Sequence, residues 1–480
     1  MTAKIGSLSE ISKLVSTKEK IDEGVLGFMG RFKAGRLLKP LTAFKTKGIS
    51  LTQVFTALCL SRFQGLSVFA SQQTGISKMD ENTMYRMMNN PLMNWRSLLW
   101  CFAGQFLKIT STHGTPSESP KCFVIDDTDI VKTGKKIENV SKIHQHTTGT
   151  FAFGFKMLVL AFWDGKSLLP INFSFHRESK KNNYGLTEKE QKAQFSKKRE
   201  ERSFGHQHVK EVDMEKGAVA LSMLKTACKR GLIAAYVLTD SWFVSDDMIK
   251  GIRRIRKGAM HLVGMCKMDT RKFTVEKREL NSKEIILKRG RKTHHSRIYK
   301  SDYITVYALF KGTPVKLFYI KYHRSKDWKL LLTTDLKLSF AKAMEIYQIR
   351  WSIEVMFKEC KQYLRLGKAQ NIDFDGQIAD AAITLITHIV LSLNLRFQDY
   401  ETMGGLFRDT KACLIEMTIV ERILQVVLQI IAELLEILSI DVEETIAALI
   451  DNHQNAQKVI ILLNAVNQQI NPDEKIKNVA

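Results

Sequence analysis

Proline and cysteine are both scarce, with 7 of each in 480 residues. Few prolines leave helices uninterrupted and argue for large, well-buried, mostly helical cores. The cysteines (Cys59, Cys101, Cys122, Cys228, Cys266, Cys360 and Cys413) are scattered, odd in number and never spaced as CxxC. That excludes a disulfide framework and a zinc knuckle, and leaves small core residues of a reducing cytosol. Long hydrophobic runs are also missing. The N-terminus, MTAKIGSLSEISKLVSTKEK, lacks the apolar core of roughly 7 to 15 residues that a signal peptide needs. The longest uncharged apolar run of the tail, Ile423 to Ala432, is about half of what crosses a bilayer. A soluble, cytoplasmic chain without a membrane partner is expected. No GxxxxGK[ST] run supports a nucleotide-driven motor, and there is no internal repeat or low-complexity linker.

Acidic residues are in short supply. Lys plus Arg number 73 against 49 Asp plus Glu, a net charge of +24 with a pI near 9.6, the footprint of a polyanion partner. The excess is uneven: residues 401–480 hold 6 basic and 12 acidic residues, so residues 1–400 carry about +30. The basic surface belongs to the front and middle of the chain.

Five regions are expected. Residues 1–115 read as short helices, including Ile49 to Phe63, Met79 to Asn90 and Met93 to Ile109. With Lys33 to Lys47 free of acids, they form either a helical DNA-binding module or an ordinary helical domain with a basic face. Residues 116–256 turn to strands: CFVIDDTDIV from Cys122, then a hairpin turning at Asp164-Gly165 between FGFKMLVLAFW and SLLPINFSFH. The basic stretch Arg177 to His208 is too charged for core. A helix and the strand LIAAYVLTD then end on Asp240. Residues 257–336 read as a β-rich insertion with a basic edge, since Arg271 to Ser301 holds 11 Lys or Arg against 3 Glu. Residues 337–400 begin with one helix from about Ser339 to Leu366 and continue with an amphipathic stretch from Gly376 to Phe397. In residues 401–480, the stretch Lys411 to Ser439 packs on the core or forms a dimer helix.

Chemistry concentrates in YQIRWSIEVMFKECK. On a helix of 3.6 residues per turn, Tyr347, Arg350, Glu354, Lys358 and Lys361 share one face, their spacings being 3, 4, 4 and 3. Taken alone, Arg350, Glu354 and Lys358 are ordinary salt-bridge spacing. Two aspartates, Asp127 in FVIDDTDI and Asp240 in AAYVLTDSWF, end apolar strand-like stretches and complete a D, D, E set. Three carboxylates from two strands and a helix suit two Mg²⁺ ions, hard cations that take oxygen ligands, roughly 4 Å apart across a phosphodiester.

This combination resembles the DDE transposases of bacterial insertion sequences, of the cut-and-paste family typified by insertion sequence 4. The resemblance runs from about Lys121 to Phe397. It rests on Ile125-Asp126-Asp127-Thr128 for the first acid, Leu238-Thr239-Asp240 for the second, and the Y, R, E, K signature of Tyr347, Arg350, Glu354 and Lys361. It implies an α/β, ribonuclease H-like catalytic core interrupted by the β-rich insertion, with helical terminal regions. It further implies Asp127, Asp240 and Glu354 as catalytic metal ligands for two Mg²⁺, with Mn²⁺ as substitute. Asp126 competes with Asp127, and Asp129 is a lesser rival. Tyr347, Arg350 and Lys361 would contact DNA phosphates, with Lys358 beside them. Trp328, just before Leu330-Leu331-Leu332-Thr333, would stack a flipped base, Trp242 being the other aromatic near the site.

The implied partners are double-stranded DNA, as terminal inverted repeats and target, and a second copy of the chain as a homodimer at the nucleoid. A plain ribonuclease H-like nuclease or resolvase, or an inactive DNA-binding repressor, are the alternatives. Histidines 144, 146, 206, 208, 294 and 295 have no third partner at metal-binding spacing and read as solvated loop residues. Cys360 reads as packing.

Overall fold

The run Cys122-Phe123-Val124-Ile125 is wholly buried, as an apolar strand covered on both faces must be. It opens β1 (Cys122–Lys132), an interior strand of the sheet. In the computed structural model, which describes residues 32–39, 48–63, 66–73, 79–113, 119–145, 148–178, 185–323 and 325–397, β1 pairs antiparallel along its whole length with β3 (Thr150–Trp163). A short β2 (Ser141–Gln145) and β4 (Leu168–His176) both pair with β3. The β3–β4 hairpin turns at Asp164-Gly165 as its sequence suggests. Gly165 adopts φ +110°, and Asp164 Oδ1 accepts from the amides of Lys166 (2.9 Å) and Ser167 (2.8 Å).

The helical N-terminal region comprises α1 (Ala34–Leu38), α2 (Leu51–Phe63), α3 (Val68–Gln73), α4 (Glu81–Met88) and α5 (Trp95–His113). After β4 come α6 (Glu188–Lys192), α7 (Phe204–Glu211) and α8 (Lys216–Lys229), then β5 (Tyr236–Thr239), α9 (Asp246–Ile255) and β6 (His261–Cys266). β5 runs parallel to both β1 and β6. The order β4-β3-β1-β5-β6, with helices as crossovers, is the ribonuclease H-like core.

From β6 the sheet continues into the insertion, because β12 (Lys329–Thr333) pairs antiparallel with β6. Beyond β12 lie β11 (Thr313–Tyr322), β10 (Ser301–Phe310), β7 (Lys272–Val275) and β8 (Arg278–Asn281), with β9 (His294–Ser296) on β10. The basic stretch after Arg271 is not purely strand. It contains α10 (Ser282–Arg289), set by a capping box in which Asn281 and Glu284 each accept the other's amide.

Three expectations fail here for identifiable reasons. The carboxylate helix is not continuous: it divides into α11 (Phe340–Gln348) and α12 (Trp351–Gln362). At the division the amides of Ile349, Arg350, Ser352 and Ile353 bond carbonyls three residues back, so the chain tightens to 3₁₀ spacing without leaving helical dihedrals. The stretch after Gly376, expected to be amphipathic, is α13 (Phe374–Phe397), and it is buried nearly all round beneath α2, α4, α5 and β4. Its apolar part, Phe374–Leu393, is long enough to cross a membrane yet lies entirely inside the protein.

Arg177 to His208, expected at the surface, instead sends Arg199 inward. Arg199 is 4 % exposed and ion-pairs with Glu138 and, at 2.9 Å, with Asp375; Lys197 reaches Asp373 and Asp375. His208 is buried too, its imidazole pushed down to about 3 by burial and then by Arg96 and Arg199. The stretch Lys411 to Ser439, the region 401–480, Cys413 and Pro40 to Lys47 lie outside the described residues. The six described cysteines are unpaired thiols.

Candidate active site

The register between β1 and β5 ends at Ile125 opposite Thr239. One step on, Asp126 and Asp240 stand level on adjacent parallel strands, where side chains face the same side of the sheet. Asp127, the next residue of β1, still lines the same cleft, whose volume is about 1360 Å³. Asp240 Oδ1 accepts from the Trp242 amide at 3.0 Å, fixing the carboxylate at the strand end.

The third acid arrives from α12, which packs on β1. Ile353, Met356, Phe357 and Cys360 bury one face of that helix, so Glu354, Lys358 and Lys361 face the cleft. Cys360 is fully buried and its thiol is pushed up by burial, as a packing residue's would be. The tightened turn at Ile349–Arg350 directs the Arg350 guanidinium back across the cleft. Nη1 donates to Asp126 Oδ2 at 2.9 Å and Nη2 pairs with Glu354.

The electrostatics follow from this crowding. Burial, then the neighbouring Asp240 carboxylate, push the Asp126 carboxyl up to about 7, with Arg350 opposing. Asp240 is likewise raised, chiefly by burial. Like charges facing each other out of water resist joint ionisation until a cation compensates them. Tyr347 is half-buried under Arg350, whose guanidinium carbon is 5.6 Å from the ring centre, and burial pushes its phenol up to about 12. Lys361 Nζ donates to Thr128 Oγ1 at 2.7 Å, and burial lowers its ammonium.

The donor set fits a hard divalent cation, since Asp126, Asp127, Asp240 and Glu354 offer only oxygen. Among the described residues no three His, Cys, Asp or Glu side chains are gathered into a ready-made metal centre. Two protein cations take up the charge instead, Arg350 on Asp126 and Glu354, and Lys216 on Asp127.

The structure therefore brings Asp240, Glu354, Arg350, Lys358 and Lys361 into one cleft and sets Tyr347 behind it. It does not bring in Trp328, which is half-buried ahead of β12 and absent from the cleft's lining. Trp242 lines the cleft instead, 60 % exposed, with Lys267 Nζ 3.8 Å and Lys216 Nζ 6.0 Å from its ring centre. Both β1 aspartates line the cleft. The motif favours Asp127 and the parallel register puts Asp126 on the face of Asp240; each is engaged by a cation, Asp126 by Arg350 and Asp127 by Lys216. Asp129 pairs with Lys156 at 2.6 Å. Lys216 and Lys267 had no signal in the sequence, as both sit far from the motif residues and only folding places them over Trp242.

The family model described as DDE superfamily endonuclease matches residues 51–318, more than half of the chain. The match includes the β1 aspartates and Asp240 and stops before α12. No curated protein matches the chain.

Proposed function

Because the chain belongs to the DDE superfamily endonucleases, we propose that it is a transposase of the cut-and-paste type typified by insertion sequence 4. In this reading it binds the terminal inverted repeats of a mobile element, cleaves them and joins the 3′-OH ends to target DNA. Hydrolysis and joining differ only in whether water or a 3′-OH attacks the phosphodiester, so one site serves both. Asp240 and Glu354 are the second and third acids. For the first, Asp126 is the better supported by geometry and Asp127 by motif, and we assign Asp126.

These carboxylates would hold Mg²⁺, or Mn²⁺ in its place, which supplies positive charge to the phosphodiester as negative charge builds on it. The residues around them bind and orient. Lys358 and Lys361 present ammonium groups along the α12 wall, and Arg350 presents a planar fork matched to phosphate oxygens. With DNA and cation present, Arg350 would exchange its carboxylate partners for phosphate, with Tyr347 supporting it from behind. Trp242 offers an exposed ring for a base near the cleavage point. Trp328 would contribute from the insertion, outside the cleft. Two element ends must be processed together, which calls for a homodimer on DNA.

The observation that carries this reading is the level pairing of Asp126 with Asp240 opposite Glu354, in one cleft lined by Arg350, Lys358 and Lys361. The test is strand transfer with precut element ends and Mg²⁺. A transposase joins the ends to a target duplex. A plain nuclease cuts without joining, and a repressor does neither.

A further inference from the structure

A second basic feature shares no lining residue with the cleft. Between α8 and α9 runs a groove of about 990 Å³ lined by five cations, Lys225, Lys229, Arg254, Arg256 and Lys257, and by no acid. Leu221, Ile255 and Ile233 also line it, Ile233 being 62 % exposed. The helices meet closely because Gly251 faces Leu221: a Cβ there would stand 2.6 Å from both Leu221 methyl carbons. None of the five cations forms an ion pair with an acid among the described residues.

Position follows from the chain path. Ile233 lies three residues before β5 begins and Asp240 directly after it ends, so groove and cleft are at opposite ends of this strand, about 20 Å apart at a strand rise of roughly 3.3 Å per residue. α8 gives the same answer. Lys216 at its start pairs with Asp127 in the cleft, and Lys229 at its end lines the groove, a span of about 20 Å at 1.5 Å per residue.

Helix dipoles account for part of this charge. Lys229 and Arg254 occupy last turns, where a cation is favourable by roughly 0.3–1 kcal/mol. Arg256 and Lys257 follow the end of α9, and Lys225 precedes the end of α8 by a full turn, so the dipoles alone do not call for five. A neutral or acidic partner would leave these charges either unanswered or free to be answered by carboxylates; regularly spaced phosphates answer them best, and DNA is what the cleft acts on.

We propose that the α8–α9 groove binds a second DNA segment through its phosphates, without reading sequence, while the first lies in the cleft. The proposal rests on the reading of the cleft only for the identity of the polyanion.

The test uses the full chain with metal chelated, a duplex of arbitrary sequence, and the fourfold variant Lys225→Gln, Lys229→Gln, Arg254→Gln, Lys257→Gln. All four side chains are exposed, so the fold should persist. The log–log salt dependence of binding should flatten by up to roughly 3.6, about 0.9 for each phosphate that is no longer neutralised. In parallel, a benzophenone amino acid at position 233 should crosslink to the duplex. An unchanged slope with no crosslink overturns the proposal. So does an unchanged slope with lost binding of polyglutamate, which would assign the groove to an acidic protein segment. A wild-type protein whose DNA binding has no salt dependence would sink this proposal together with the reading of the cleft, whereas failed strand transfer with a flattened slope would sink the latter alone.

Discussion

Arg350 Nη1 donates to Asp126 Oδ2 at 2.9 Å across the cleft, tying the tightened turn before α12 to the end of the β1–β5 register. The same guanidinium holds Glu354. It therefore occupies, in the protein alone, the electrostatic place of a cation shared by two of the assigned acids.

If so, removing Arg350 should make the cleft more dependent on metal. Arg350→Ala should be less stable than wild type, because Asp126 loses its partner while largely out of water. Its thermal midpoint should rise more on adding Mg²⁺ than the wild type's does. Equal Mg²⁺ shifts in the two proteins would show that no cation binds between these acids.

The strand acids were legible because an apolar run that meets a carboxylate has few other readings; Asp240 does end its strand, but β1 continues past Asp127 to Lys132, where pairing with β3 carries the polar residues along. The broken helix was not, because Ile349 and Arg350 are neither proline nor glycine and keep helical dihedrals; only the bonding changes. Nor was the burial of Arg199, since its partners Glu138, Asp373 and Asp375 are between about 60 and 180 residues away in sequence. A charged stretch read along the chain looks solvated until folding brings acids of opposite sign to it. α13 misled for the converse reason: several of its polar residues, among them Asp380 paired with Arg62 and His388 bonded to Glu359, find partners inside the core.

The Arg199 network yields a stability prediction. Truncating one member of a buried ion network costs about 3–5 kcal/mol, because the remaining charges stay buried without compensation. Arg199→Ala should lose an amount of this order in urea unfolding. A loss under about 1 kcal/mol would mean that the acids are rescued by water.

His208 gives a pH dependence. Its folded-state value of about 3 lies below the ordinary histidine range near 6.5, so the unfolded chain binds the extra proton first. Its contribution is fully present above about pH 6.5 and is lost as pH falls toward 3, at up to roughly 1.4 kcal/mol per pH unit. His208→Gln should lose stability less steeply across that window. Parallel curves for the two proteins would place the acid sensitivity elsewhere.

The two tryptophans should separate. Trp242→Ala should weaken binding of an unpaired or frayed end by something like 1 to 3 kcal/mol, the usual worth of base stacking. Trp328→Ala should spare initial nicking and, if it contacts DNA from the insertion, impair second-strand processing. Loss of nicking in Trp328→Ala with none in Trp242→Ala would reverse their roles.

The most direct measurement compares four alanine variants, Asp126, Asp127, Asp240 and Glu354, for cleavage of an element end and for joining of a precut end in Mg²⁺, with DNA affinity measured alongside. The Asp126, Asp240 and Glu354 variants should lose both reactions while binding DNA within a few-fold of wild type, and Asp127→Ala should retain activity. Full cleavage by Asp126→Ala with none by Asp127→Ala would contradict the assignment of the first acid. Activity in the Asp240 or Glu354 variant would contradict the site itself.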